Sequence, residues 1–261
     1  MKVVILCGGY GTRIRDVAED IPKPMIPVGG YPILWHIMKY YASYDHHEFV
    51  LCLGYKSQVI RNFFINYEVN MNDVTIALDR KSPVVFHNAH QELDWKITLA
   101  ETGLNTMTGA RVRKIKKYVA DDDHFLLTYG DGVGDIDIKK LVDFHLAHGK
   151  ILTVSGVRPP GRFGELTSDG KGRVLEFNEK TQAAAGQISG GFFVCRKDIF
   201  KYLDDRDDQL FELEPMQKLV SDGQLMVYEH KGFWQPMDTA RDYALLNTLF
   251  NEGKAPWAIW K

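Results

Sequence analysis

The chain has 261 residues, 45% of them hydrophobic and 25% charged, with a formal net charge of −2 at pH 7. Such a length supports a sizeable core, in one large α/β domain or two small ones. The near-neutral balance supplies no broad basic field for nucleic acid or anionic lipid, so small charged substrates fit better. No apolar run approaches the ~20 residues that span a bilayer, and the first residues enter a strand pattern rather than a signal peptide, so the cytoplasm is the expected compartment. Cys7, Cys52 and Cys195 are far apart, odd in number and set among apolar residues, as expected for buried thiols rather than a disulfide or zinc framework.

The apolar residues 3–6 predict a buried strand, and Leu6-Cys7-Gly8-Gly9-Tyr10-Gly11-Thr12-Arg13 opens a glycine turn at its carboxyl edge. That edge is where open α/β sheets bind ligands. Three glycines in four residues let backbone N–H groups approach a phosphate, while Arg13 and the lysine of Pro22-Lys23-Pro24 bring charge suited to a triphosphate. Two better-known loops are excluded by spacing. A dinucleotide fingerprint starting at Gly9 wants glycine where Ile14 stands, and Gly11-Thr12-Arg13 lacks the Gly-Lys-Ser/Thr of a P-loop. Glycine turns also follow strands for purely structural reasons; Arg13 and Lys23 weigh towards a nucleotide.

Further along, strand patterns at 49–53 and 125–129 alternate with helical stretches at 33–43, 58–67 and 138–148, which predicts parallel strands joined by crossover helices. Short strands at 73–78, 84–87 and 96–99 predict a small antiparallel annex. A strand at 151–157 is followed by the breaker Arg158-Pro159-Pro160-Gly161-Arg162 and by short strands at 163–166, 174–177 and 191–194, expected to form a mixed sheet over the ligand. Helices at 112–118, 199–204 and 214–221, a strand at 225–229 and an amphipathic helix at 240–252 complete the pattern, with Asp238 and Thr239 at the cap of the last helix. No repeat or low-complexity linker divides residues 1–261, so one domain is expected.

Thr128-Tyr129-Gly130-Asp131-Gly132 places a carboxylate beyond the end of another apolar strand, at the same sheet edge as the glycine turn. Asp-Gly is a common turn, but beside a triphosphate loop one aspartate can be half of a site for a hard cation such as Mg²⁺. Asp238, in Phe233-Trp234-Gln235-Pro236-Met237-Asp238-Thr239, is the second carboxylate candidate, with helix capping as its ordinary role. Asn178-Glu179-Lys180 follows a strand and is either a solvated turn or a contact for a sugar phosphate, and Gly190-Gly191 before Phe192 permits close approach of a sugar or a bulge. Thr106-Met107-Thr108-Gly109-Ala110-Arg111 reads as a loop entering a helix, with Arg111 in the first turn and suited to an anion. The pairs His87/His90 and His145/His148 lack acidic or cysteine partners nearby in sequence and read as surface histidines.

Gly8-Gly9-Tyr10-Gly11-Thr12-Arg13, Pro22-Lys23-Pro24-Met25, Gly130-Asp131 and Glu179-Lys180 together resemble the sugar-1-phosphate nucleotidyltransferases. Met107-Thr108-Gly109-Ala110-Arg111, Pro159-Pro160-Gly161-Arg162-Phe163-Gly164, the 233–239 block and Gly253-Lys254-Ala255-Pro256-Trp257 narrow the resemblance to the branch that couples CTP to glucose 1-phosphate, over the whole chain. The resemblance implies an α/β, Rossmann-like fold: a mixed, mostly parallel sheet flanked by helices, with the antiparallel annex and a sugar-binding part. Residues 1–157 would then be mainly nucleotide-binding, and 158–261 mainly sugar-phosphate-binding with the C-terminal helix. It implies nucleotide contacts from Leu6 through Arg13, Lys23, Thr106, Arg111 and Gly130, with Arg13, Lys23 and Lys180 catalytic. Glu179, Lys180 and Gly191 would face the sugar phosphate, and Asp131 and Asp238 would hold Mg²⁺. Many relatives carry a basic residue where this chain has Ile21, so that contact is missing.

The expected reaction, again by resemblance, is in-line attack of the sugar phosphate on CTP to give CDP-glucose and pyrophosphate, without a covalent enzyme intermediate. Such a product would feed dideoxysugars of surface polysaccharide, the O antigen. UTP or dTTP in place of CTP, or a nucleotide-sugar-binding module without catalysis, are the alternative readings. A homo-oligomer is implied, a hexamer being one option. The tail Pro256-Trp257-Ala258-Ile259-Trp260 docks either on its own chain or on a neighbouring subunit.

Overall fold

Val3, Val4 and Ile5 have no solvent-exposed surface, as a strand covered by helices on both faces requires. They form β1 (Val3–Leu6) at the middle of the fold. The computed structural model describes residues 1–11, 14, 20–79, 83–87, 90–158, 165–168, 173–178 and 186–260. After β1 come a two-strand turn, β2 (Pro27–Val28) and β3 (Tyr31–Pro32), and then α1 (Ile33–Ala42), β4 (Glu48–Leu53), α2 (Ser57–Ile65) and α3 (Tyr67–Met71). The next elements are β5 (Val74–Thr75), β6 (Val85–Phe86), β7 (Lys96–Glu101), α4 (Thr108–Lys114), β8 (His124–Tyr129), β9 (Gly132–Gly134) and α5 (Ile138–His148). The chain continues through β10 (Leu152–Val157), β11 (Glu165–Ser168), β12 (Val174–Asn178), β13 (Ile188–Arg196), α6 (Glu214–Ser221), β14 (Leu225–Glu229), β15 (Trp234–Pro236) and α7 (Ala240–Asn251).

Seven strands form one sheet in the order β14-β10-β13-β8-β1-β4-β7. β13 alone runs against its neighbours; the other pairings are parallel. The sheet is therefore mixed and mostly parallel, as the sequence predicts. Two apolar clusters cover its faces. One gathers α1, α5 and the C-terminal helix around Ile5, Leu51 and Leu126, and the other packs α4 and α6 against Val4, Val50 and Leu127.

Several boundaries differ from the sequence expectation for local reasons. The antiparallel annex exists, as the pair β5–β6, but residues 96–101 do not join it. They lie parallel to β4 as the edge strand of the main sheet, because Leu99 and Ala100 pack on its core. Likewise β13 belongs to the main sheet, while β11 and β12 pair with each other apart from it. The helical pattern at 58–67 breaks at Asn66, whose backbone (φ −103°) leaves the helical region between α2 and α3. Residues 197–202 form a 3₁₀ helix instead of an α-helix.

The tail docks on its own chain. Trp257 is 1% exposed, stacks on Phe233 and donates from Nε1 to His36 Nδ1 at 3.3 Å, while Trp260 lies edge-on to Trp35. His145 and His148 also correct the expectation, since His145 is fully buried rather than on the surface. Lys150 N donates to His148 Nδ1, which leaves His148 Nε2 to donate to Thr153 Oγ1 at 2.8 Å. Thr153 Oγ1 also lies 2.8 Å from His145 Nδ1, so one hydroxyl joins the two imidazoles.

Burial, with His124 and His148 nearby, pushes the His145 pKa down to about 3. Its folded pKa lies below the unfolded value, so the stability it supports is complete above about pH 6.5 and is lost as the pH falls towards 3. Thermal melts at pH 7.5 and pH 5 should differ by several degrees, with the lower value in acid. His145→Gln should flatten that difference.

Candidate functional site

β1 and β8 are adjacent and parallel, with Leu6 opposite Tyr129, so the glycine turn and the Gly130-Asp131 step leave the sheet side by side. Gly130 N donates to Leu6 O at 3.1 Å and ties the two exits together. A side chain at Gly130 would be tight, since a Cβ there would lie 3.0 Å from Leu6 O and 3.2 Å from Pro24. Over this edge opens a cavity of about 490 Å³. Leu6, Cys7, Gly8, Gly9, Tyr10 and Gly11 line one side of it, with Lys23, Thr106, Arg111 and Gly130 around them. Both carboxylate candidates, Asp131 and Asp238, reach the same cavity. Residues from five distant stretches thus converge as the sequence reading expects. Thr12, Arg13, Glu179 and Lys180 lie outside the described residues.

A charged hydrogen-bonded group in the cavity joins Lys23, Asp131 and Asp238. Lys23 Nζ donates to Asp131 Oδ2 at 2.6 Å and to Asp238 Oδ1 at 2.6 Å, with the lysine side chain 10% exposed. Burial alone would lower the lysine pKa, but the two carboxylates outweigh it and lift it above the ordinary value. Three local devices build the group. Pro22 and Pro24 flank Lys23 in a 3₁₀ turn, which fixes the backbone from which the side chain departs. β9 pairs with β15, and Met237 N donates to Asp131 O at 2.8 Å, which carries the 237–238 segment to the end of β8. Thr239, not Asp238, caps α7, in a reciprocal box with Asp242. Asp238 is thereby released from capping and its carboxylate is left for Lys23.

This donor set suits a hard divalent cation, which takes one or two carboxylates and fills the rest of its shell with phosphate oxygens and water. No cluster of three His, Cys, Asp or Glu side chains suited to a metal occurs among the described residues. A cation here would depend on a bound phosphate for further oxygens.

Arg111 corrects the sequence reading. α4 begins at Thr108, so Arg111 stands in its last turn, where the helix end disfavours an anion. Its guanidinium donates to Leu53 O at 2.9 Å, Thr102 Oγ1 at 2.6 Å, Gly8 O at 3.0 Å and Leu104 O at 3.3 Å. It is 4% exposed and holds three loops together from beneath the cavity. Gly8 leaves room for this contact: a side chain there would collide with the guanidinium, and a Cβ at Gly54 would lie 2.6 Å from it. Gly11 has φ +59° and packs on Lys23, whereas a Cβ at Gly9 would meet nothing within 4 Å. Of the three glycines, Gly9 is the one left open to an incoming group.

Gly191, expected at the sugar, is buried within β13 at φ +87°, and a Cβ there would lie 2.6 Å from the Tyr129 ring. It makes room for Tyr129, which lines the cavity, and does not line the cavity itself. Thr106 lines the cavity and its hydroxyl accepts from Lys114 Nζ at 3.1 Å. Asn105 escapes the sequence reading, and Thr108 stands in the 106–111 motif with no role assigned to it. Tyr10 donates to Asn105 Oδ1 at 2.5 Å across the mouth of the cavity, and Thr108 bonds Glu212, which also accepts from Tyr129. A single Asn in a polar loop carries no pattern to mark it.

Residues 2–250 match the nucleotidyl transferase family. The glucose-1-phosphate cytidylyltransferase of Salmonella typhi is 46% identical over 261 residues, covering 100% of both chains. A probable glucose-1-phosphate cytidylyltransferase of Bacillus subtilis is 44% identical over 260 residues, again covering 100% of each. Among solved structures, HddC from Yersinia pseudotuberculosis superposes with a TM-score of 0.68 at 26% identity, covering 95% of this chain and 99% of that one.

Replacing Gly8 by Ala should displace Arg111 and lower the thermal midpoint by several degrees, with an expected cost of about 1–3 kcal/mol for the strained, partly unpaired guanidinium. Gly9→Ala should melt like the parent and lose nucleotide affinity by titration. Equal melts for the two variants would contradict this division of roles.

Proposed function

This chain belongs to the nucleotidyl transferase family, and from that premise we propose that it transfers the cytidylyl group of CTP to glucose 1-phosphate, giving CDP-glucose and pyrophosphate. The observation that carries the chemistry is the Lys23 ammonium between two carboxylates at the rim of the glycine-lined cavity. Two polyanions must meet there, and the main task is to position them and offset their repulsion while charge grows on the departing pyrophosphate. The backbone of Gly8 to Gly11 cradles the triphosphate, with Gly9 giving closest approach. Lys23 reaches the α-phosphate, Arg13 the leaving pyrophosphate, and Lys180 with Glu179 the glucose 1-phosphate. Thr106 contributes to the nucleotide wall, and Arg111 supports the loop through Gly8.

Asp131 and Asp238 would hold Mg²⁺, which when bound supplies a Lewis acid to the phosphate oxygens. Residues 1–157 thus form mainly the nucleotide part and 158–261 mainly the sugar part, with Asp238 reaching across to the first. Cytidine rather than uridine or thymidine is supported by the full-length relatives named cytidylyltransferases. The product serves dideoxysugar formation for surface polysaccharide. All three cysteines are free and buried, which suits the reducing cytoplasm, and among the described residues no helix is long and apolar enough to cross a membrane. Ile76, Leu78, Val84 and Phe86 of the annex are exposed and offer an apolar surface for a second copy in a homo-oligomer, a hexamer being one option.

The direct test is pyrophosphate release from glucose 1-phosphate with CTP, UTP, dTTP and ATP in parallel, each with Mg²⁺ and with EDTA. Release with CTP alone, abolished by EDTA, is the expected result; release with UTP or dTTP would keep the chemistry and change the base. Lys23→Ala should lower kcat about 100-fold or more with KM within a few-fold, the pattern of a lost transition-state contact. Asp131→Asn should remove metal-dependent turnover while the thermal midpoint stays within a few degrees of the parent. Retention of metal-dependent activity in that variant would take Asp131 out of the metal site.

A further inference from the structure

Asp131 and Asp238 direct one oxygen each at a single point, and that point is filled by the Lys23 ammonium, 2.6 Å from both. We propose that in the nucleotide-free protein Lys23 is the resident cation of this carboxylate pair, so that a divalent metal binds tightly only when nucleotide phosphate draws the ammonium away. The inference rests on the assignment of Asp131 and Asp238 as metal-holding residues, and adds that Lys23 couples metal binding to nucleotide binding.

Charge and geometry carry the argument. One ammonium between two carboxylates leaves a single negative charge. A dication entering beside the ammonium would turn that into a net positive charge and set two like charges in contact. The ammonium therefore has to leave, and leaving is unfavourable on its own: its side chain is 10% exposed, so it would give up two short charged hydrogen bonds with little water to replace them. A phosphate chain along the glycine turn changes both terms. The Lys23 stem already packs against that turn, since a Cβ on Gly11 would lie 3.0 Å from Lys23 Cβ. Rotation about a flexible four-carbon stem then carries the ammonium from carboxylate to phosphate without moving the backbone fixed by Pro22 and Pro24. The vacated pair takes the metal, and the phosphate oxygens complete its shell. By linkage, nucleotide must raise metal affinity by the same factor as metal raises nucleotide affinity.

Mn²⁺ binding to the full-length protein, followed by the electron paramagnetic resonance of free Mn²⁺, tests this apart from turnover. Without nucleotide, Lys23→Met should bind Mn²⁺ about tenfold or more tighter than the parent, and adding Asp131→Asn should abolish the gain. In the parent, α,β-methylene CTP should tighten Mn²⁺ binding about tenfold, and in Lys23→Met by much less. A second readout guards against weak folding of the variant: Mn²⁺ alone should raise the melting temperature of Lys23→Met more than that of the parent. If Lys23→Met gains neither Mn²⁺ affinity nor Mn²⁺ stabilisation while the parent shows an Asp131-dependent site with the analogue, the placeholder role is overturned and the metal assignment stands. If the parent with the analogue has no Asp131-dependent Mn²⁺ site, the metal assignment and this inference fall together.

Discussion

One buried cation between two carboxylates organises the cavity. Lys23, Asp131 and Asp238 come from three regions of the chain, and each bond between them spans more than 100 residues of sequence. An ion group of this kind contributes little net stability, because desolvation offsets much of the attraction. What it supplies is register. The end of β8, the loop before α7 and the proline-flanked turn after the glycine loop must all stand in place for the ammonium to meet both acids. Removing Lys23 leaves two carboxylates without their shared partner, whereas removing either acid leaves the ammonium with one.

Beneath that group, Arg111 does for the nucleotide loop what Lys23 does for the rim. Its guanidinium gathers the carbonyls of Gly8, Leu53 and Leu104, so the end of β1, the end of β4 and the loop before α4 share one anchor. Burial lowers its pKa somewhat, but a guanidinium stays protonated in proteins, and its hydrogen bonds keep the charge satisfied. The two basic residues thus divide the work. Arg111 is fixed in a network of neutral acceptors and shapes the loop, while Lys23 is held by acids that another cation can claim.

The sheet was legible from sequence because its strands are continuous apolar runs, and the parallel order of β1 and β8 follows from the intervening helices. That order alone was enough to place Asp131 beside the glycine turn. Asp238 was legible as a candidate but not as a partner of Lys23, since the β9–β15 pairing and the Thr239 cap that free it are long-range and local details respectively. Arg111 reads from sequence as a first-turn residue and stands instead in the last turn of α4, because the start of a seven-residue helix decides which turn an arginine occupies. His145 reads from sequence as a surface residue and is buried, as its partner Thr153 lies on a neighbouring strand. Gly191 reads from sequence as room for a sugar or as a bulge, and the structure packs the Tyr129 ring against it.

The central claim is that nucleotide and metal meet at the carboxyl edge of β1 and β8, over the glycine turn and between Asp131 and Asp238. Anomalous diffraction from crystals grown with α,β-methylene CTP and Mn²⁺ tests it most directly. The expected result is an Mn²⁺ peak bound by both aspartates, phosphates along Gly8 to Gly11, and Lys23 turned from the aspartates to a phosphate oxygen. Mn²⁺ bound away from both aspartates, or a nucleotide outside this cavity, would contradict it.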